Sequence, residues 1–518
     1  MAKTKLLLVD CQSLQVNAFH RGMGKYLLHT LSAICRLPER PHVTLLFNSN
    51  IMMSDERLRQ ILDMCTGADY VHVNLPSPVS GPGGEKVYKS RLEKYIEANF
   101  SSKYKVSYLV NSPFVFDIYT DFPDNVEERS MIFYDLIPLL HWSELGRLFD
   151  PDVYMDRFQH ILKADKVFCI STTTCRDLIA NLGVDEARTR VVDGGYTSLS
   201  DHPVAPSHIE LPNKFILFPT GSLPHKNNEL VMSAFEKLSH MHSGMYMVVT
   251  SKFSTEEQSR FSAIGGKKVI FSGYISDDEL AYLYENSSFV LFASKYEGLG
   301  LPILDAMAYD KPVVVSDAAV FKEISRDAFY EFSMDDEDDL LSAMDMAITK
   351  KGLGEKRKNY KSILKNYTWD NTAARLLDGL TYANKRRLPK KDKQTIVIVA
   401  PHPGLQDTVG GVCEKLYNHL SQKYKIKYYF DDYQYNDSEY RPTFLKYMPD
   451  AEVLPIRALV NEKCAKRYYI MDDEAFENVI AEYAYILGGS ILPLSDFNRD
   501  NIVARAVLKK VNILDKMI

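Results

Sequence analysis

The chain has 518 residues, of which 46% are hydrophobic and 25% are charged, and its formal net charge is −6. This length is too great for one domain, and the composition is that of an ordinary globular protein. The negative charge argues against a general nucleic-acid-binding protein, so we expect no nucleic acid among the partners. Seven cysteines are scattered without a Cys-x-x-Cys pair, which indicates a reducing compartment and no structural zinc.

The N-terminus leads straight into an apolar strand and shows no signal peptide. No apolar run in the sequence approaches the roughly 20 residues that a membrane-spanning helix needs. We therefore expect a cytoplasmic protein.

Short apolar strands alternate with longer amphipathic stretches, which is typical of parallel sheets covered by helices, the α/β class. The candidate strands are Leu6–Asp10, Val43–Phe47, Tyr70–Val73, Val106–Val110, Met131–Tyr134, Lys166–Ile170 and Arg190–Val192 in a first series, and Phe215–Phe218, Met245–Thr250, Lys268–Ser272, Phe289–Ala293 and Pro312–Ser316 in a second. The pattern predicts two Rossmann-like lobes, residues 1–205 and 206–384, the second ending in a helix that includes Thr372–Asn384. Ligands of such sheets bind at the carboxyl ends of the strands, so we expect the site in the cleft between the lobes.

In the first lobe, polar and glycine residues follow the ends of two strands. Gly22 and Gly24 lie in a turn after the first strand, where the backbone can approach a phosphate or an acceptor closely. Tyr134 and Asp135 follow the strand from Met131, and Tyr134 would be a poor base because an unperturbed tyrosine pKa is about 10. Asp135 has two interpretations, contact with an acceptor or capping of the turn before Pro138.

The second lobe opens with a strand, the loop Thr220–Asn227 and a helix around Glu229–Leu238. Lys226 in this loop is either a phosphate ligand or a surface lysine at a helix start, where the helix dipole disfavours its charge. His225 beside it can donate a hydrogen bond, and its charge depends on pH.

Glu297 and Asp305 stand eight positions apart, around the turn Gly298-Leu299-Gly300. The strand Phe289–Ala293 precedes the turn, and Leu301–Ala308 is predicted to be a helix with Pro302 in its first turn. Glu297 therefore lies at the carboxyl end of a strand, and the glycines leave backbone N–H groups open to a phosphate or a sugar hydroxyl. The alternative is an ordinary strand-turn-helix unit with solvated acids.

The segment from Glu297 to Ala308 resembles the donor-site signature of retaining glycosyltransferases of family four, E-G-F-G-L-P-x-L-E-A-M-A. The resemblance implies a GT-B fold, in which two Rossmann-like lobes face each other. It implies that Glu297 contacts the donor sugar, that backbone amides from Gly298 to Leu301 approach the sugar and diphosphate, and that Asp305 binds the ribose. Leu299 replaces the usual Phe, and Asp305 replaces a Glu and is one methylene shorter.

Three other segments resemble the same family. Thr220–Asn227 is similar to G-G-x-x-P-R-K-N, whose basic residues grip the diphosphate; His20–Tyr26 is similar to the cleft loop R-G-I-G-R-Y; and Met131–Leu139 is similar to a segment containing H-D-L-I-P. Tyr134, His225 and Lys25 stand where His, Arg and Arg are usual. The resemblance assigns catalytic roles to Glu297, Lys226, Tyr134 and Asp135, donor binding to Gly22, Gly24, Lys25, Gly221, Ser222, His225, Lys226, Glu297, Gly298, Leu299, Gly300, Leu301 and Asp305, and acceptor-side positions to Arg21 and Ser171.

The resemblance implies a retaining transferase with no bound cofactor and no metal. The acidic run Asp335–Asp339 either begins a helix or binds a metal, and we expect the helix, because the helix dipole favours negative charge there. The charge of a leaving diphosphate must then be met by basic side chains and backbone N–H groups. No residue looks like a nucleophile for double displacement, so we expect same-face substitution in which the leaving diphosphate takes the acceptor's proton.

With Tyr134 in place of the usual His, the Met131–Leu139 segment resembles the corresponding segment of enzymes of bacterial O-antigen and capsule assembly. It makes GDP-mannose the first candidate donor and a glycan or lipid-linked glycan the candidate acceptor. An inactive nucleotide-sugar-binding or regulatory protein of the same fold is the alternative. An NAD enzyme is disfavoured, because Gly298-x-Gly300 lacks the third glycine of the dinucleotide-binding motif.

The last part of the chain repeats the pattern of its beginning, a strand followed by a glycine-rich turn. Residues 385–393 are strongly basic, which predicts a solvated linker, with contact to an anionic membrane surface at the inner face of the membrane as the second interpretation. A strand, Thr395–Ala400, then leads to Gly410-Gly411-Val412, which resembles the family's first glycine-rich loop. Residues 394–518 are thus predicted to be a partial third Rossmann-like domain, the start of a second glycosyltransferase unit that has decayed or belongs to a longer tandem enzyme.

Overall fold

The computed structural model describes residues 3–78, 84–141, 157, 160, 161, 163–182, 184–197, 200 and 202–382, together with five strands between residues 395 and 493. The chain divides into two compact units. The first contains two parallel sheets, which form two lobes, and the second contains a third sheet. Among the described residues, no helix combines the length and the hydropathy needed to cross a bilayer.

The first lobe is built on a parallel sheet of seven strands in the order β3-β2-β1-β4-β5-β6-β7. Its strands are β1 Thr4–Asp10, β2 His42–Asn48, β3 Asp69–Val73, β4 Tyr104–Val110, β5 Glu128–Phe133, β6 Lys166–Cys169 and β7 Thr189–Val191, and its helices are α1 Gly22–Arg36, α2 Asp55–Met64, α3 Gly84–Asn99, α4 Ile137–Leu140 and α5 Thr172–Leu182. Leu6 to Val9 in the middle of β1 are fully buried. This continuous apolar run is what a strand covered on both faces requires.

The second lobe has a parallel sheet of six strands in the order β10-β9-β8-β11-β12-β13. Its strands are β8 Phe215–Pro219, β9 Tyr246–Thr250, β10 Val269–Gly273, β11 Val290–Phe292, β12 Val313–Ser316 and β13 Tyr330–Phe332, and its helices are α6 Asn228–Met241, α7 Thr255–Gly265, α8 Asp277–Asn286, α9 Leu301–Ala308, α10 Ala319–Ser325, α11 Glu337–Ile348, α12 Leu353–Leu364 and α13 Trp369–Gly379. The acidic run begins α11 as predicted, with Asp336 accepting from the N–H groups of Asp338 and Asp339.

The predicted strands of both lobes agree with the observed ones to within three residues at either end, and helix α9 has the predicted bounds. The analysis of the sequence missed β13, because this strand has only three residues and the middle one is the charged Glu331. The last helix of the first unit ends at Gly379 and not at Asn384, so the predicted end was wrong by several residues.

Helix α13 follows the second lobe in sequence but packs against α1 of the first. Asp370 forms an ion pair with Arg36 at 2.9 Å, and Arg375 and Asp378 pair with Asp193 and Arg190. Just beyond the helix, the buried Glu128 carboxylate at the start of β5 accepts hydrogen bonds from Thr381 N and Oγ1, both at 2.9 Å, and from Tyr382 N at 3.1 Å. The end of the second lobe is thereby fastened to the first.

The third sheet is also parallel, with five described strands in the order β16-β15-β14-β17-β18. They are β14 Thr395–Val399, β15 Lys425–Phe430, β16 Glu452–Pro455, β17 Lys466–Met471 and β18 Ser490–Pro493. In each of the three sheets, the strand that comes first in the sequence lies between the second and the fourth. The third sheet therefore has the same strand order as β1 to β5 of the first lobe. The linker 385–393 and the turn Gly410-Gly411-Val412 lie outside the described residues, and the interpretation as a second glycosyltransferase unit stays a prediction.

Replacing Glu128 by Gln should destabilise the first unit by about 1–3 kcal/mol, because an amide turns one carboxylate acceptor into a donor that faces other donors. Urea unfolding followed by tryptophan fluorescence measures this loss. Asp370→Asn is the matched control, since it removes an exposed ion pair of the same helix and should cost less than about 1 kcal/mol. Equal effects of the two substitutions would show that the buried carboxylate does not fasten the helix.

Candidate functional site

Two loops of the second lobe meet where neighbouring strands β8 and β11 end. The loop after β8 carries Lys226, and the loop after β11 carries Glu297, and the Lys226 Nζ lies 2.5 Å from the Glu297 Oε1. Both side chains are only about one-fifth exposed, at 22% and 21%. The two residues that the sequence placed 71 positions apart therefore form one charged pair at the carboxyl edge of the sheet.

Burial alone would raise the pKa of Glu297, but the charge and hydrogen bond of Lys226 outweigh it and hold this pKa below its usual value. Glu297 is therefore ionised near neutral pH. An ionised carboxylate is an acceptor only, so it can take hydrogen bonds from Lys226 and from a sugar hydroxyl but cannot donate one.

The turn between Glu297 and α9 is pressed against the first lobe. A side chain at Gly298 would place its Cβ only 2.5 Å from the carbonyl oxygen of Tyr134, and Ser171 Oγ donates to the Gly298 carbonyl oxygen at 2.7 Å. Gly300 adopts φ of +92°, a conformation that favours glycine, and Leu301 begins α9 directly after it. Leu299 is 3% exposed, so its side chain is not available to a ligand.

Asp305 lies in α9, behind this turn, and contacts the segment that joins the lobes. Its Oδ1 accepts a hydrogen bond from Thr197 N at 3.0 Å, and Thr197 Oγ1 in turn accepts from Trp369 Nε1 at 3.1 Å. Burial raises the pKa of Asp305 to about 7, although the Thr197 N–H opposes the shift. One oxygen of this carboxyl is therefore already engaged, and its charge changes near neutral pH.

His225 precedes Lys226 and is 2% exposed. Its Nδ1 is buried and has no hydrogen-bond partner among the described residues. Burial, and then the neighbouring Lys226 charge, lower the pKa of His225 to about 4, so the imidazole is neutral at neutral pH. Ser222 of the same loop is exposed, and a Cβ at Gly221 would meet nothing within 4 Å.

The glycine-rich turn of the first lobe forms the first turn of α1. Gly22 is exposed and has open space around it, whereas a Cβ on Gly24 would lie 2.2 Å from the Ala18 carbonyl oxygen. Gly24 thus serves packing, and Gly22 remains accessible. Lys25 pairs with Asp277 of α8 at 2.8 Å, in an exposed contact between the lobes, and Arg21 is exposed at the start of the turn.

Tyr134 and Asp135 both make contacts within the first lobe. The Tyr134 hydroxyl lies 2.7 Å from Asn111 Oδ1, and its ring packs edge-on against Tyr26. Asp135 Oδ1 accepts from Ile137 N at 2.9 Å, as expected for the capping interpretation. Burial raises the pKa of Asp135 to about 6, and the Glu297 charge adds to this shift while the Lys226 charge opposes it. The Asp135 carboxyl therefore interacts electrostatically with both members of the charged pair.

The structure reveals two contributors that the sequence reasoning missed. Glu323 of α10 accepts hydrogen bonds from Thr172 N, Thr173 N and Thr173 Oγ1 at the start of α5, each at 2.8 Å. The segment Asp193–Thr197 runs between the lobes, and a Cβ at Gly195 would lie 2.4 Å from Trp369 N. In the sequence, Gly194-Gly195 could have indicated a close backbone contact in this segment. No local pattern indicates the contact of Glu323.

Among the described residues, no group of three or more His, Cys, Asp or Glu side chains is arranged to hold a metal ion.

Comparison with known proteins finds a family match over part of the chain. Residues 205–366 match the family model "Glycosyl transferases group 1". The chain is 27% identical over 280 residues to the serotype-specific mannosyltransferase WbdA of Escherichia coli, across 50% of this chain and 34% of WbdA. It is also 27% identical over 206 residues to the O-antigen chain mannosyltransferase RfbU of Salmonella typhimurium, across 38% of this chain and 56% of RfbU. The match thus spans about a third of the length of WbdA.

Solved structures share the fold at low sequence identity. The sucrose-phosphate synthase of Thermosynechococcus elongatus has a TM-score of 0.52 at 16% identity, across 72% of this chain and 97% of that one. The Anabaena protein HepE, in complex with UDP-glucose, has a TM-score of 0.52 at 14% identity, across 73% and 100%. These likenesses confirm the predicted GT-B fold of two facing Rossmann-like lobes. Residues 205–366 thus match the group 1 glycosyltransferases, the family four type that the donor-site segment within them resembles.

Proposed function

We propose that the first unit transfers a hexose, with retention of its anomeric configuration, from a nucleotide sugar to a glycan of a bacterial surface polysaccharide. The observation that carries this proposal is the Lys226–Glu297 pair, 2.5 Å apart at the carboxyl edge of the second sheet. A cation beside an anion suits a substrate in which a negative diphosphate adjoins a sugar rich in hydroxyl groups. Because WbdA is named a mannosyltransferase and RfbU an O-antigen chain mannosyltransferase, GDP-mannose is the first donor to test.

In this proposal the pair divides its work between the two parts of the donor. Lys226 turns toward the diphosphate and stabilises the negative charge that grows as the sugar leaves. The proposal also assigns to the diphosphate the N–H groups at the start of α9 and the backbone at Gly221, where a Cβ would meet nothing within 4 Å, and at the exposed Ser222. Glu297 accepts hydrogen bonds from the sugar hydroxyls, and Asp305 holds the ribose.

The acceptor approaches from the first lobe, past Arg21 and the open Gly22. Glu297 is assigned to the binding of the sugar hydroxyls, and no other carboxylate is assigned the place of a nucleophile, so we favour same-face substitution. The departing diphosphate takes the acceptor's proton, and the protein contributes placement and charge stabilisation without a metal ion. His225, which is neutral and precedes Lys226, stays among the donor-binding residues in this proposal.

The proposed acceptor is a glycan or lipid-linked glycan, and the proposed location is the cytoplasm, at the inner face of the membrane. Contact of the basic residues 385–393 with anionic lipid stays part of this proposal. The alternative is a nucleotide-sugar-binding or regulatory protein that has lost transfer. Asp305 favours it, because one of its oxygens is already bonded to Thr197 N. Product formation from GDP-mannose, detected by mass spectrometry of the acceptor, separates the two.

Lys226→Ala should lower kcat/KM at least about tenfold, equivalent to roughly 1.4 kcal/mol of transition-state stabilisation, because the leaving diphosphate loses its nearest cation. Lys237→Ala is the matched control, since Lys237 is a half-exposed lysine of the same lobe that pairs with Glu337 at 2.9 Å. Initial rates over a range of donor concentrations give both constants. Wild-type turnover in the Lys226 variant would overturn its assignment to the diphosphate.

Activity should survive an excess of EDTA, because the proposal assigns the neutralisation of the diphosphate to Lys226 and to backbone N–H groups. The measurement is the initial rate before and after chelation and gel filtration. A loss of activity that Mg²⁺ or Mn²⁺ restores would contradict the metal-free mechanism.

Asp305→Asn should stabilise the protein above neutral pH and weaken nucleotide binding. The folded carboxyl has a pKa of about 7, above the ordinary value in an unfolded chain, so its deprotonation costs folding free energy as pH rises from about 4 to about 7. We expect the Asn variant to melt at least about 2 °C higher than wild type at pH 8, with a smaller difference at pH 5.

The control for this substitution is Asp310→Asn, which changes an exposed carboxylate with a left-handed φ of 54° that Asn tolerates. It should leave nucleotide binding unaltered. Equal melting temperatures of the Asp305 variant and wild type at both pH values would show that this carboxyl carries no burial cost. Unchanged affinity of the Asp305 variant for donor and free nucleotide would contradict the proposed contact between Asp305 and the ribose.

A further inference from the structure

Three neighbouring strands of the first lobe, β1, β4 and β5, end side by side. Ser13 follows β1, Asn111 immediately follows β4 and Tyr134 immediately follows β5, and these side chains are 1%, 1% and 7% exposed. In an open parallel sheet the ligand crevice lies where the strand order reverses, here between β1 and β4. In this lobe three polar side chains fill that position.

The hydrogen bonds of the three side chains are directed by a backbone carbonyl. Asn111 Nδ2 lies 2.9 Å from Ser13 Oγ and 3.4 Å from the Met23 carbonyl oxygen. A carbonyl only accepts, so the amide nitrogen of Asn111 must face it, and Asn111 Oδ1 must face the Tyr134 hydroxyl. That hydroxyl donates to Oδ1 at 2.7 Å and lies 3.2 Å from the same Met23 oxygen.

Met23 lies between Gly22 and Gly24 in the first turn of α1. This turn is weak by itself, because glycine loses more conformational freedom on folding than any other residue, and Arg21 at the N-cap makes no side-chain capping bond. The contacts to the Met23 oxygen therefore fix a segment that its own sequence does not stabilise. Gly22, which faces open space, takes its position from them.

We propose that Asn111 and Tyr134 are positioning residues that hold the first turn of α1 in the orientation needed for transfer, and that the Tyr134 hydroxyl does not contact the donor sugar. The effect on transfer rests on the proposed function. The hold on the turn is a property of the fold and is measurable without a substrate.

Hydrogen exchange of the full chain, followed by mass spectrometry of peptides that cover residues 20–28, tests the hold on the turn. The reporting amides include those of Gly24 and Lys25, which donate to the Arg21 carbonyl oxygen at 3.0 and 3.1 Å. Tyr134→Phe and Asn111→Ala should each raise their exchange rates at least about fivefold, because local opening becomes easier. The double variant should exceed the larger single effect only slightly, since both side chains belong to one network.

Transfer kinetics are measured on the same variants. In both single variants kcat/KM should fall about three- to tenfold, in parallel with the rise in exchange. Tyr360→Phe is the matched control, because it removes a buried hydroxyl that donates to the Lys311 carbonyl oxygen at 2.8 Å, in the other lobe. It should alter neither measurement. If Asn111→Ala fails to fold, Ser13→Ala replaces it, since Ser13 is bonded to the same amide.

Wild-type exchange of residues 20–28 in both single variants would overturn the proposal. Additive losses of kcat/KM with unchanged exchange would overturn it as well, and would assign the tyrosine hydroxyl to the substrate. Absence of transfer by the wild-type protein with every nucleotide sugar tried would defeat the proposed function alone, because the exchange data would still decide the role of Asn111 and Tyr134.

Discussion

The geometry of the cleft depends on one close approach between two backbones. A single Cβ at Gly298 would lie 2.5 Å from the Tyr134 carbonyl oxygen, so the loop after β11 and the loop after β5 can meet only through a glycine. The Ser171 hydroxyl closes the same contact through the Gly298 carbonyl oxygen. Glu323, fixed to the start of α5, adds a charged contact between the lobes nearby. The glycine of the signature is thus needed for packing between lobes as well as for access to a ligand.

The three acids assigned to the site have environments that give them different charges. Glu297 has Lys226 at 2.5 Å and a pKa below its usual value. Asp135 and Asp305 form no ion pair with a cation of the described residues, and burial raises their pKa values to about 6 and about 7. At neutral pH one full negative charge therefore stands at the position assigned to the sugar, and the carboxyl assigned to the ribose is partly protonated. A partly protonated carboxyl can donate to a ribose oxygen as well as accept from a hydroxyl.

Sequence reasoning predicted the two lobes, nearly all of their strands and the loops that meet at the cleft. It succeeded there because buried parallel strands are continuous apolar runs and because glycine, proline and lysine mark the loops. It could not predict the Lys226–Glu297 pair as a contact, since 71 residues separate the two. It also could not place the Tyr134 hydroxyl against Asn111 or assign Glu323 to α5, because a tertiary hydrogen bond leaves no periodic signal. The sequence supplied candidate site residues, which remain predictions, but it carried no signal for the tertiary partners of these residues.

The two lobes share one architecture but use the carboxyl edges of their sheets differently. In the second lobe the loop after β8 stays open, with nothing within 4 Å of a Cβ at Gly221 and with Lys226 in reach of a ligand. In the first lobe Ser13, Asn111 and Tyr134 fill the corresponding crevice and bond to one another and to Met23. These side chains occupy the position where an open parallel sheet binds its ligand, and the proposed function therefore assigns the diphosphate of the donor to the second lobe. The first lobe then exposes the backbone of Gly22 and the charged side chains of Arg21 and Lys25. In the proposed function, these groups suit the approach of an acceptor better than the binding of a leaving diphosphate.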